Sequence, residues 1–304
     1  MSRRRAFAAC VAVYAAAGAV ALGIGWVVRD LHPVWVVAVA DLAATVTVFL
    51  FSMAFDNSSL YDPYWSVVPP VIALYWLVGS NAAAGRVLPL FALLLAWSVR
   101  LTSNWARGWR GMDHEDWRYE DFRKRFGSLY WPVSFLGIHL FPTIVVFLGS
   151  LSLYAALGTA TRGFQLLDVA AIVVTASAVW IEATADRQLR RYVAERAEAS
   201  GKAAQGHGPV FDHGLWSLSR HPNYFGEVLF WWGLYLFALA ASPASWWAVV
   251  GPLTVTALFV FVSVPMMDRH MLERRPQYAQ AMRTRSGLVP WFTHRARLDE
   301  EASR

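Results

Sequence analysis

Residues 214–227 read Gly-Leu-Trp-Ser-Leu-Ser-Arg-His-Pro-Asn-Tyr-Phe-Gly-Glu and place Arg220, His221, Asn223, Tyr224 and Glu227 within eight positions. The apolar run from Val228 to Ala241 follows at once. Ionisable and amide groups that dense at the mouth of a membrane helix are costly to desolvate, and a bound polar ligand accounts for them. Pro222 suits the first turn of a helix and not its interior, so Asn223 to Glu227 are expected to form an opening turn. Four residues apart, Asn223 and Glu227 then point the same way. An amide and a carboxylate on one face can grip a carboxamide, a ribose or an amine. The competing reading is a polar helix start that anchors at the membrane interface.

Four further constellations carry chemistry. Glu182, Asp186 and Arg190 recur every four residues and form a stripe on one helical face. A solvated salt-bridge ladder has the same spacing, but Glu182 lies at the edge of an apolar span, where a carboxylate is expensive. The tail holds Asp268, Arg269, His270, Arg274, Arg275, Tyr278, Arg283, Arg285 and a closing Leu288–Phe292. Its guanidinium groups suit phosphate, although a cytoplasmic basic tail needs no ligand. Arg100 falls late in an apolar span, where an arginine usually meets an anion. Tyr64 and Asp62, in Tyr61-Asp62-Pro63-Tyr64-Trp65, put a phenol near a carboxylate at a helix junction. Such a pair can give a proton to a developing enolate, or it can be an aromatic interfacial turn. Tyr64, Asp62 and Glu182 are the candidate catalytic groups. Glu115–Arg125 reads as an interfacial amphipathic helix. Val193–His213 reads as a Gly-rich loop in which Lys202 and backbone amides approach a phosphate, with no Rossmann or P-loop spacing.

The 214–227 block resembles the C-terminal signature of the steroid 5-alpha-reductase family, including its bacterial domain-of-unknown-function branch. In that family an Asn-Tyr-x-Gly-Glu element helps hold NADPH, and Asn223, Tyr224, Gly226 and Glu227 match it in order. The resemblance implies cofactor contacts for Asp186 and Arg190. Glu182 stands where relatives carry Asn. His270 and Tyr278 correspond to a tail that closes over the cofactor, and Arg100, Arg220 and His221 complete the expected cofactor set. Animal steroid reductases place a Glu and a Tyr on neighbouring early helices to recognise the substrate carbonyl, a pattern this sequence does not match cleanly. The Arg-His-Pro-x-Tyr-x-Gly stretch is also similar to isoprenylcysteine-type carboxyl methyltransferases, which use S-adenosylmethionine. Asn223 and Glu227 favour the reductase. The implied activity is NADPH-dependent reduction of an activated C=C bond in a lipid or steroid-like enone. The alternative is methyl transfer to an isoprenylcysteine or a phospholipid.

All of this must be positioned by helices in a bilayer. Hydrophobic residues are 57% of the 304 and charged residues 16%, with mean hydropathy +0.37. Soluble domains carry about 25% charged residues. Apolar runs near 6–28, 33–55, 66–80, 86–104, 130–157, 164–184, 224–242 and 244–267 predict an all-α polytopic bundle of seven to eight transmembrane helices. The third run is short and carries Pro69 and Pro70. Close spacing of the runs argues for one membrane domain, with 1–100 on the substrate side and 100–304 binding the cofactor. With eight spans and an inside N-terminus, only Arg29, Arg86 and Arg162 of the 27 Lys and Arg fall outside, leaving 24 inside. That asymmetry predicts cytoplasmic termini, in a bacterial inner membrane. It also accounts for the net charge of +6 through anionic lipids, without nucleic acid. The expected partners are membrane lipids and a lipophilic substrate drawn from the bilayer, with no required protein partner. The first apolar run exceeds the core of a signal peptide and reads as a retained helix. Cys10, the single cysteine, excludes an intramolecular disulfide and a Cys-cluster metal site, and no metal is expected.

Overall fold

A computed structural model describes residues 1–200 and 210–291, without the side chains of 199 and 200. Lys202 and Phe292 lie outside the described residues. The described chain is all helical: α1 Arg3–Val27, α2 Pro33–Ala54, α3 Tyr64–Leu77, α4 Ala84–Gly108, α5 Trp117–Phe126, α6 Tyr130–Ser134, α7 Phe141–Leu157, α8 Leu166–Ser200, α9 Pro222–Ala241, α10 Val250–Leu258, α11 Val264–Arg274 and α12 Tyr278–Thr284. Among the described residues there is no strand, only a single bridge between Ser219 and Ser286.

Seven helical runs among the described residues are long and apolar enough to cross a membrane, the longest being Trp117–Leu157. That run passes from α5 through α6 and a π-helical turn, Phe135–Leu140, into α7. The interfacial helix expected at Glu115–Arg125 is α5, capped at Asp116, whose side chain accepts from the Arg118 amide at 3.0 Å. The loop expected over Val193–His213 begins later, because α8 continues to Ser200. Ala, Glu and Arg dominate 193–199 and are strong helix formers, and Arg191 pairs with Glu195 one turn on at 2.7 Å.

The chain divides into two compact units, Met1–Gln165 with Phe237–Gly251, and Leu166–Leu236 with Pro252–Arg304. In the first unit α1 packs on α2, and Val13, Ala17, Ala44, Val48, Tyr61 and Tyr64 form one core cluster. Its α3 has 14 residues, about 21 Å of helix against a hydrocarbon core of about 30 Å. The missing length comes from the chain just before it. Asn57–Pro63, with a 3-10 turn at Ser58–Leu60, doubles back along α2, so that Tyr64 meets Asp41 and Trp76 meets the Pro33 carbonyl. Turn and helix together therefore run antiparallel to α2 for most of its length. Irregular backbone at this depth is tolerated because it is covered: Ser58, Ser59 and Leu60 are buried, and Glu115, Asn57 and Ser58 close its hydrogen bonds. Arg86, expected in an outside loop, is fully buried, its guanidinium donating to the carbonyls of Arg162 at 3.0 Å and Gly163 at 2.8 Å.

In the second unit α9 lies against α8 through its glycines. A Cβ at Gly226 would strike the Glu182 side chain and the Ala178 carbonyl, and one at Gly233 would strike Thr175. Seven residues apart, the two glycines let the backbones approach as small residues do elsewhere in membranes.

Candidate functional site

The second unit is organised around Asp268 on α11. Its carboxylate accepts from Arg220 Nε at 3.2 Å and Nη2 at 2.7 Å, from the Tyr278 hydroxyl at 2.7 Å, and meets His221 Nε2 at 2.8 Å. Asp268, His221 and Tyr278 are all buried, and Arg220 nearly so. A buried carboxylate is tolerated because two donors and a cation satisfy it. Burial first, and then the adjacent carboxylate, pushes the Tyr278 hydroxyl well above the usual phenol range. Arg220 also donates to the carbonyls of Arg285 at 2.6 Å and Met282 at 3.3 Å, and Arg285 to those of Trp216 and Phe211. The backbone of 286–291 runs beside 218–220: Arg220 N donates to Ser286 O, Trp291 N to Leu218 O, and Ser219 Oγ to Leu288 O. Three residues expected to hold cofactor, Arg220, His221 and Tyr278, thus bind one carboxylate. They fix the start of α9 against α11, α12 and the tail.

What that node holds in place is the opening turn of α9. Pro222 is its first residue, as expected. The Asn223 side-chain oxygen is buried with no hydrogen-bond partner. One turn on, Glu227 is 4% exposed, and Trp231 Nε1 donates to it at 2.9 Å. The Tyr224 ring stacks on His221, centroids 5.1 Å apart and 13° from parallel, and leans on Phe259. Glu182, fully buried on α8, packs against Gly226 between these two residues. Asp186, half-buried, and Arg190, exposed, follow on the same helix. Trp216 Nε1 donates to the Ala185 carbonyl at 3.0 Å and the Leu215 amide to Gln188 at 3.1 Å, which ties the 214–217 turn to this part of α8. His270 is half-buried on α11, two residues past Asp268. The unit therefore gathers Glu182, Asp186, Asn223, Tyr224, Glu227 and the Asp268 node around one helix mouth.

Arg100, Asp62 and Tyr64 belong to the first unit, with Arg100 half-buried on α4. The sequence suggests a Tyr64–Asp62 pair, but each has another partner. Tyr64 donates to Asp41 at 2.6 Å, both residues being buried. Asp62 instead accepts from the Tyr119 hydroxyl. Asp116 is half-buried; burial raises its carboxyl, but its bonds to Arg118 outweigh that and hold it below the usual range. Asp41 is the residue that sequence reading missed. Its signal was present, since it is the lone charge in the apolar run of α2.

A family model described as "Protein of unknown function (DUF1295)" matches residues 48–284. An uncharacterized protein of Schizosaccharomyces pombe is 28% identical over 241 residues, 73% of this chain and 69% of the relative. No solved structure matches the chain significantly. The chain belongs to the DUF1295 family, whose matched region takes in both Tyr64 and the 214–227 block.

Proposed function

We propose that this DUF1295 protein is an integral-membrane, NADPH-dependent reductase of an activated C=C bond in a lipophilic enone. The observation that carries the reading is the unpartnered Asn223 side-chain oxygen at a helix mouth, with Glu227 one turn along and a buried ionic node fixing both. A buried acceptor left open costs about 1–3 kcal/mol, which a donor on a ligand recovers. The carboxamide of a nicotinamide is such a donor, and the ribose hydroxyls suit Glu227. The resemblance of Asn223-Tyr224-Phe225-Gly226-Glu227 to the steroid reductase signature supports the same assignment. Exposed Arg190, Arg269 and Arg274 in the same unit offer guanidinium groups to phosphates.

NADPH, when bound, supplies the hydride. The protein supplies the rest. Charge develops on the enone oxygen as the β-carbon is reduced, and a positioned phenol stabilises and protonates it. Within the first unit, the Tyr64 phenol, held in one orientation by Asp41, has the chemistry for such a role.

Calorimetry on the detergent-solubilised protein tests the proposal with NADPH and S-adenosylmethionine. Binding of NADPH, weakened in Asn223→Ala, is expected. Binding of S-adenosylmethionine alone would move the chain to the methyltransferases.

A further inference from the structure

The end of the first unit at which the chain begins collects arginines that the fold leaves unpaired. They come from two stretches more than 100 residues apart. Arg3, at the start of α1, donates from Nε to the Trp109 carbonyl at 3.0 Å and from Nη2 to the Ala106 carbonyl at 2.8 Å. Its guanidinium thus closes the last turn of α4, whose carbonyls have no partner within the helix. Gly111, at φ +112°, lays its backbone on the same turn of α1, where a Cβ would stand 3.5 Å from Ala6 and 3.8 Å from Arg3. The N-terminal ammonium meets Asp113 at 2.8 Å. Arg4 and Arg5 are thereby held beside Arg107 and Arg110, all four exposed. Among the described residues, none of the four side chains has a hydrogen-bond, ion-pair or ring partner. Asp113, the one acid between Trp105 and His114, is taken by the ammonium, and the first turn of α1 has no acidic residue. Like charges gathered at one helix junction repel, and a shared anion relieves them.

Two features make that anion part of a lipid. Trp105 and Trp109 stack at this end, centroids 4.9 Å apart, with Phe7 edge-on to both. Tryptophans so placed mark headgroup level. Next along α1, in a run long enough to cross a membrane, Ala8, Val11, Ala12 and Ala15 are exposed. An acyl chain has that apolar face to lie on while its phosphate meets the guanidinium groups. A free phosphate or a soluble acidic protein would leave the face unused. We propose that Arg4, Arg5, Arg107 and Arg110 form a site for the headgroup of an anionic phospholipid in the leaflet where α1 begins. The phosphate accepts from guanidinium forks on both stretches. The ammonium of a zwitterionic headgroup would bring another positive charge to the site, so the anionic lipid is selected. Arg3 positions the two stretches. The site uses none of the residues assigned to the reductase and stands apart from that reading.

Native mass spectrometry tests it on the full-length protein, released from detergent containing phosphatidylglycerol and phosphatidylcholine of equal chain length. Wild type should retain phosphatidylglycerol with about a tenfold preference. Arg4→Gln with Arg5→Gln, or Arg107→Gln with Arg110→Gln, should each lower that preference by about fivefold or more, the scale of one arginine beside an anionic headgroup. Both pairs should act, because the site is built from both stretches. Lys124→Gln with Arg125→Gln removes as much charge from exposed positions on α5 and should leave the preference unchanged. No preference in wild type, a preference that either arginine pair leaves intact, or an equal loss in the α5 variant would each overturn the site. Displacement of the lipid by inorganic phosphate at equal concentration would assign the arginines to a soluble anion and overturn the lipid.

Discussion

At the scale of single residues, the second unit separates the groups proposed to bind a ligand from those that hold the structure. Asn223 keeps an open acceptor, whereas Arg220, His221 and Tyr278 converge on Asp268. Substitutions should divide accordingly. Asn223→Ala or Glu227→Gln is expected to weaken NADPH by about tenfold to a hundredfold, from roughly 1.5–3 kcal/mol per bond to a charged or desolvated group, with the melting temperature held. Asp268→Asn leaves Arg220 short of its counter-charge and should lower the melting temperature first, on the scale of about 3–5 kcal/mol for one broken half of a buried pair. Calorimetry and thermal unfolding on the same preparations separate the two behaviours; a destabilised Asn223→Ala with normal affinity would make that turn an interface anchor. The sequence disclosed the 214–227 residues because their types are dense and adjacent. It did not disclose their partners, because Asp268 and Tyr278 approach from elements some 40–60 residues on, and adjacency in the chain says nothing about that. The same limit paired Tyr64 with the nearer carboxylate instead of Asp41.

Helices were legible wherever an apolar run exceeded the bilayer, and uncertain where it did not. The run at 66–80 was ambiguous because α3 supplies only part of a crossing, and the rest is turn. Periodicity cannot register a covered 3-10 turn, since polar Asn57, Ser58 and Ser59 are buried there beside Leu60. If the turn and α3 together cross, the chain spans eight times and both termini lie on the same side, expected to be the cytoplasm from the charge asymmetry. Reporter fusions at the C-terminus and in the 78–83 connection should then report opposite sides. A C-terminus outside the cytoplasm would leave α3 within one leaflet. The α8–α9 contact makes a second prediction. Gly226→Ala and Gly233→Ala should each lower the melting temperature, because the added methyl meets side chain and backbone of α8. Gly18→Ala on α1, with nothing within 4 Å of the added Cβ, serves as the control and should be neutral or stabilising.

Over the whole molecule, a cofactor that binds only the folded chain must stabilise it. NADPH at about a hundred times its Kd should add roughly 2.7 kcal/mol to unfolding, with NADH adding less because it lacks a phosphate for the exposed arginines. S-adenosylmethionine should add nothing. Equal shifts for NADPH and NADH in a thermal-shift titration would remove the phosphate argument while leaving Asn223 in place. Among the described residues, each unit contains one π-helical turn, Phe135–Leu140 before α7 and Phe259–Ser263 before α11. A π turn holds a residue more than the α turn it replaces. Loss of that residue would rewind the helix and rotate everything beyond it by about 100°. In the first unit this would carry Thr143 away from the Thr45 and Tyr61 hydroxyls that it bonds, and in the second it would carry Asp268 away from Arg220 and His221. Both networks are thus set by the phase of a helix as much as by the residues on it. These two stretches should accept changes of side chain far more readily than a change of length.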